Sequence, residues 1–273
     1  MSERSDYPAG VPCWVDTLQD DPEAATRFYG DLFGWEFEGP GEMPGNPPGR
    51  YYVATLRGKE VAGIGSLPPH DRSTPVAWNT DVAVKSIEDA ASRVARAGGE
   101  ILLGPIDAAP AGRLVALRDP LGATVCLWEA QGRQGAQLVN EPSTWAMSTL
   151  QASDPDRAVQ FYSELFGWQP DPLANEGAEV TLLRLPGYVG GEPEQPVPRN
   201  VVALMVPLDN DGGTSRWSVD FWIADAASAA AKAPELGGRV LVAPHDVPPG
   251  LRQAVLTDPS GAAFSVSEPQ TGP

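Results

Sequence analysis

Apolar and polar positions alternate over short runs along most of this chain, and a few longer segments switch to helical spacing. Cys13 to Leu18 reads as a strand. Asp21-Pro22 then opens a helix, with Asp as N-cap and Pro at the first helical position. Ala24, Ala25, Phe28 and Leu32 share one face of it, and Gly34 stops it. Residues 39–49, rich in Gly and Pro, read as a loop. Tyr51–Leu56 and Val61–Ser66 read as strands around an Arg57-Gly58 turn. Val76–Val84 is a further strand, and Ser86-Ile87-Glu88-Asp89 resembles a capping box. Ala90, Ala91, Val94 and Ala97 form the buried stripe of the next helix, which Gly98-Gly99 ends. Ile101–Leu103, Arg113–Arg118 and Ala123–Trp128 complete the set as strands.

The same order then repeats. Phe28-Tyr29-Gly30-Asp31-Leu32-Phe33-Gly34-Trp35 returns as Phe161-Tyr162-Ser163-Glu164-Leu165-Phe166-Gly167-Trp168, 133 residues on (161 − 28). Trp78-Asn79-Thr80-Asp81 returns as Trp217-Ser218-Val219-Asp220, and Asp119-Pro120-Leu121-Gly122-Ala123 as Asp258-Pro259-Ser260-Gly261-Ala262, both 139 on (217 − 78; 258 − 119). Ordered landmarks at a nearly constant offset mean two homologous domains. We place them at 10–130 and 142–269, with a linker at 131–141. Asp154-Pro155 opens the first helix of the second copy and Gly167 closes it. Its last strands fall near 240–243, 252–257 and 262–267, and Pro234 should kink or shorten its second helix.

Composition narrows the partners. Net charge is −17, from 19 basic against 36 acidic residues, which argues against nucleic acid and anionic membranes. No basic stretch followed by an apolar run marks a signal peptide, and no apolar segment is long enough to span a bilayer. Cys13 and Cys126 are the only cysteines, too few for a disulfide framework, so a reduced cytoplasmic setting is expected.

The order strand, Asp-Pro helix, FYxxLFGW, strands, then strand, helix, Gly-Gly, strands, DPxGA resembles the glyoxalase/bleomycin-resistance/dioxygenase, or vicinal oxygen chelate, superfamily. In particular it resembles the tandem-domain, glyoxalase-like or "hydroxylase" members of actinobacteria. The resemblance implies an α+β fold. Each of two tandem domains would pack two βαβββ modules whose curved, mixed sheets enclose a cleft. It also implies positions where many members hold a divalent metal. Those positions fall here on Trp14, Asn79 and Cys126, with Glu60 at a strand edge, and in the second copy on Met147 (or Trp145), Ser218 and Ser265. Trp, Met and Ser do not make a divalent site, and His70 and His245 lie in Pro-rich stretches read as loops. The expectation is a branch with neither metal nor another cofactor.

Alternation along the strands then names the cleft-facing residues. Trp14 leads to Asp16 and Leu18, Asn79 to Asp81, and Cys126 to Trp128; in the second copy Met147 leads to Thr149, Ser218 to Asp220 and Trp222, and Ser265 to Ser267. Eight Trp are present, and Trp14, Trp78, Trp128, Trp145, Trp217 and Trp222 sit on or beside these strands, as a flat apolar ligand would require, although core filling explains each one alone. Tyr51, after Arg50 at a strand start, is a further contact candidate. A carboxyl in an apolar strand is costly unless paired or solvated in a cleft, and desolvation suits it to proton transfer. Asp81 and Asp220 recur in both copies, which also fits a structural role; Asp16 has no carboxylate counterpart and is the better catalytic candidate. Segments 39–49, 186–198 and 207–213 are long enough to be lids. Two functions remain open. One is a metal-independent enzyme of secondary metabolism using Asp16, with Asp81 or Asp220 assisting. It would isomerise, cyclise, open or hydrate an aromatic, polyketide-like molecule. The other is a protein that sequesters such a molecule, in the manner of antibiotic-binding relatives; on either reading a monomer or homodimer is expected. The unmatched cleft Asp favours the enzyme.

Overall fold

In the computed structural model the described residues are 3–45, 47–67, 76–175, 178–190, 200–208, 213–248 and 250–270. They form four βαβββ modules. The first holds β1 (Pro12–Gln19), α1 (Pro22–Phe33), β2 (Glu36–Met43), β3 (Gly49–Leu56) and β4 (Lys59–Ser66). The second holds β5 (Trp78–Ala83), α2 (Ile87–Val94), β6 (Glu100–Ala108), β7 (Gly112–Arg118) and β8 (Thr124–Ala130). The third holds β9 (Trp145–Ala152), α3 (Pro155–Phe166), β10 (Gln169–Asn175), β11 (Ala178–Arg184) and β12 (Val201–Pro207). The fourth holds β13 (Arg216–Trp222), α4 (Ala226–Glu235), β14 (Arg239–Val247), β15 (Leu251–Thr257) and β16 (Ala263–Pro269).

Each pair of modules shares one eight-stranded mixed sheet, ordered β2-β3-β4-β1-β5-β8-β7-β6 and β10-β11-β12-β9-β13-β16-β15-β14. In the first sheet β1 runs parallel to β4 and antiparallel to β5, so the two modules meet at its middle. The expected helix starts hold: Asp21 Oδ1 accepts from the amide of Ala24 at 2.9 Å, and Asp154 Oδ1 from that of Arg157 at 3.1 Å. Gly34 and Gly167 close these helices at φ 75° and 78°, left-handed values that favour glycine. Pro234 lies in the last turn of α4, which ends one residue later.

Two readings change. The 39–49 stretch is not one loop, because β2 runs through Met43 and β3 starts at Gly49. β2 is an edge strand whose side chains mostly face water, so no period-two signal betrays it, and Pro40 is tolerated because one edge of the strand needs no partner. His245 lies on β14, exposed, rather than in a loop. His70 falls outside the described residues, as do most of 186–198 and 207–213.

The core is shared crosswise. One apolar cluster joins the first module to the fourth, and a second joins the second module to the third. Phe33 and Trp78 stack edgewise or tilted on Phe221 of the other domain, with ring centroids 5.1 and 5.0 Å apart. The repeated motifs meet at this seam. Trp78 Nε1 donates to the Tyr29 hydroxyl (2.9 Å), which donates to Asp258 Oδ2 (3.1 Å); Gln19 Nε2 donates to the same oxygen (2.7 Å). In the pseudosymmetric copy Trp217 Nε1 donates to Tyr162 (2.9 Å), which donates to Asp119 Oδ2 (2.9 Å). The other oxygen of each Asp accepts a backbone amide of its own turn, from Ala262 and Ala123. The Tyr of FY, the Trp opening the second module and the Asp of DPxGA therefore lock the domains together. Trp78 and Trp217 belong to this seam and not to a cleft.

Candidate active site in the first cleft

Register decides which side chains converge on the concave face of the first sheet. Trp14 lies opposite Asp81 and Asp16 opposite Asn79 across β1 and β5, while Asp81 neighbours Cys126 and Ala83 neighbours Trp128 across β5 and β8. Trp14, Asp16, Asn79, Asp81, Cys126 and Trp128 thus share one face. Tyr51 reaches them from β3 because β4 lacks side chains beneath it. A Cβ on Gly63 would stand 1.9 Å from the Tyr51 hydroxyl, and one on Gly65 2.9 Å from the ring. The two glycines form a notch that the ring fills.

The hydroxyl of Tyr51 accepts from Trp14 Nε1 at 2.9 Å and donates to Asp16 Oδ2 at 3.0 Å; Asn79 Nδ2 donates to Asp16 Oδ1 at 2.9 Å. Asp16 is therefore held at both oxygens. Asp81 is not: its Oδ1 is buried and has no hydrogen-bond partner. The two carboxyls are diagonal neighbours on one face, with no cation bonded to either among the described residues. Burial raises Asp16 above the usual carboxylate range, and the hydrogen bonds from Asn79 and Tyr51 oppose the rise. Asp81 is pushed up much further, first by burial and then by the negative charge of Asp16, with only the Cys126 thiol opposing. Burial and the neighbouring Asp16 charge therefore favour a proton on Asp81 over one on Asp16.

Trp14 and Trp128 are 3% and 8% exposed, so they form the cleft floor, while Asp16, Tyr51 and Asn79 remain partly accessible above it. Arg133, from the segment between the domains, lies 5.3 Å over the Trp14 ring and is paired with Glu60 at 2.7 Å. Its carbonyl accepts from Trp128 Nε1 at 2.9 Å. Sequence reasoning missed this strap and the glycine notch; two glycines spaced two apart in a strand were the available signal.

Asp220 is not brought to Asp16. It stands in the second cleft, beside Ser265 on β16 and opposite Met147 on β9, with Thr149 opposite Ser218 and Trp222 beside Ser267. Asp220 Oδ1 accepts from Ser267 Oγ at 2.8 Å and Gln253 Nε2 at 3.4 Å, and burial, partly offset by these bonds, pushes its carboxyl up to about 7. Val180, Leu204 and Val206 replace the tyrosine and glycines of the first cleft. The two clefts have diverged.

The glyoxalase-like domain profile matches residues 14–128 and again 147–267. The chain belongs to the glyoxalase-like family. CFP32 of Mycobacterium tuberculosis (strain CDC 1551 / Oshkosh), provisionally named a glyoxylase, is 38% identical over 98% of both chains. The anthracycline biosynthesis protein DnrV of Streptomyces peucetius is 29% identical over 97% of this chain and 96% of its own. Among solved structures, the Mn(II)-bound glyoxalase from Novosphingobium aromaticivorans superposes with a TM-score of 0.63 at 14% identity, over 95% of this chain and 82% of that one. The 2,2',3-trihydroxybiphenyl 1,2-dioxygenase of Sphingomonas wittichii strain RW1 gives 0.59 at 14% identity, over 96% and 91%. These likenesses establish the shared fold.

A divalent metal, which this glyoxalase-like fold implies, does not fit the residues present. Among the described residues no group of three or more His, Cys, Asp and Glu could hold an ion. Asp16 is engaged at both oxygens, Glu60 is paired with Arg133, and burial pushes the Cys126 thiol far above its usual range. Both cysteines are free and buried. No helix among the described residues is long and apolar enough to cross a membrane.

Proposed function

We propose that this protein is a metal-independent enzyme of secondary metabolism that performs acid–base chemistry in its first cleft on a flat, apolar, polyketide-like aromatic. The reading rests on the asymmetric carboxyl pair. Asp16, stabilised as an anion by Tyr51 and Asn79, is the base. Asp81, keeping its proton and with Oδ1 unpartnered, is the acid. Base and acid on neighbouring strands of one sheet face suit proton removal at one ligand atom and donation to a carbonyl or leaving oxygen nearby. Isomerisation, cyclisation, ring opening and hydration all take that form. Tyr51, Asn79, Cys126, Trp14 and Trp128 frame the ligand. Kinship with DnrV makes anthracycline-type aromatics the first compounds to try.

The test compares wild type with Asp16→Asn on such a compound, following product by mass spectrometry and binding by Trp fluorescence. Turnover should fall on the order of 10²–10⁴-fold with affinity little changed. Wild-type turnover in Asp16→Asn ends the proposal. Tight binding without product in either protein would favour sequestration of the ligand instead.

A further inference from the structure

The carboxyl pair of the first cleft stands at one side of a surface that acid–base chemistry leaves without a task. Pairing across β5, β8, β7 and β6 sets side chains of one face in rows. One row runs from Asp81 through Cys126 and Ala116 to Leu103. The next runs from Ala83 through Trp128 and Leu114 to Ile106. Directly paired residues point to the same face, so the six residues beyond β5 face the same cleft as Asp81. All six are apolar. Cys126 and Trp128 are buried, Ala116, Leu114 and Ile106 are half-buried, and Leu103 is 46% exposed, so the surface opens outward from the carboxyls. A Cβ on Gly112 would stand 2.5 Å from the Trp128 ring; its absence lets the indole lie over β7 instead of standing across the cleft. The result is an apolar platform.

The other domain shows that the fold does not demand it. The same positions, 139 residues on, carry Ser265, Val255 and Val242 in one row and Ser267, Gln253 and His245 in the next, in the same pairing. Leu114 and Ile106 therefore stand partly in water where this sheet accepts Gln and His. A contiguous apolar patch of that kind marks a surface that something apolar covers.

Its outline names the occupant. From β5 to β6 is three strand spacings, about 14 Å, and two rows span about 7 Å along the strands. That is on the order of 100 Å², far below the roughly 800 Å² per partner that a stable protein interface buries. It is the face of three or four linearly fused six-membered rings. Polar groups stand at one end, where Asp81 closes its row and Asp16 and Asn79 lie beside it. Along one side Arg118 and Glu100 pair with each other at 3.1 Å and bound the apolar surface with charge.

Resting on the acid–base reading of this cleft, we propose that the β6–β7–β8 platform is its ring-binding subsite. Leu114, Ala116, Ile106 and Leu103 select linearly fused polycyclic ligands, held with their oxygenated end at Asp16 and Asp81.

Equilibrium dialysis of the full chain compares 1-hydroxyanthraquinone, with three linear rings, against 2′-hydroxyacetophenone, which keeps the same adjacent hydroxyl and carbonyl on one ring. Wild type should bind the three-ring compound at least tenfold more tightly. Leu114→Gln and Ile106→His introduce the residues that the other domain carries at the same positions. They should weaken three-ring binding about tenfold and about threefold, and leave one-ring binding within about twofold. The mirrored Gln253→Leu, in the second cleft, should change neither. If Leu114→Gln does not fold, Ile106→His on the edge strand decides. Equal affinity for the two compounds, three-ring affinity unmoved by the platform variants, or affinity that follows Gln253→Leu instead overturns the proposal. If Asp16→Asn keeps wild-type turnover while the platform variants lose the three-ring compound, the acid–base reading fails and the platform stands.

Discussion

Replacing Asp220 by Asn should make the protein less sensitive to alkaline pH, and the size of the effect follows from the site. The carboxyl ionises near 3.8 in the unfolded chain and near 7 in the fold. Between those values the folded protein holds a proton that the unfolded chain has released. Stability is therefore lost as pH rises through that window, and the loss levels off above about 7. Its full extent is on the order of 4 kcal/mol, of which about 2–3 kcal/mol falls between pH 5 and pH 8. Asn is neutral throughout and keeps an oxygen for the hydroxyl of Ser267 and the amide of Gln253. Asp16 and Asp81 are raised in the same direction, so they tilt both proteins alike and cancel in the difference. Urea unfolding followed by Trp fluorescence at pH 5 and pH 8 gives the four free energies needed. The variant should gain about 2–3 kcal/mol on wild type between the two pH values. Parallel shifts, agreeing within about 0.5 kcal/mol, would mean that Asp220 is hydrated and ionises normally, and the reasoning from burial would be wrong.

Gly63→Ala should displace the Tyr51 ring, costing about 1–3 kcal/mol and weakening aromatic binding in the first cleft; unfolding and fluorescence titrations that match wild type would refute the notch. Tyr29→Phe and Tyr162→Phe should each cost about 1–3 kcal/mol, because each leaves a buried indole N–H without its acceptor; two silent variants would show that the seam networks are dispensable. Elemental analysis of protein purified without chelator should find less than about one divalent ion per chain, and a stoichiometric ion required for activity would contradict the donor set.

Much of the architecture was legible in the chain. Period-two runs, Asp-Pro helix starts and glycine stops are local signals, and they mark helices and inner strands because local sterics and capping act over a few residues. The repeat marked two domains for the same reason: equal sequence builds equal modules. The edge strand β2 escaped because a strand whose side chains mostly face water needs no alternation. What the repeats were for was not legible. Tyr29 and Asp258 are 229 residues apart and hydrogen-bond across the seam, so their shared role exists only once the domains dock. Facing residues within a strand could be listed from alternation, which is why Asp16, Asn79 and Asp81 were named together. Register then had to decide that Asp16 is held by Tyr51 and Asn79 while Asp81 keeps a bare oxygen, and that Asp220 belongs to a different cleft. Sequence fixes what each carboxyl is; its burial and hydrogen-bond partners, which depend on strands distant in the chain, set whether it holds or yields a proton.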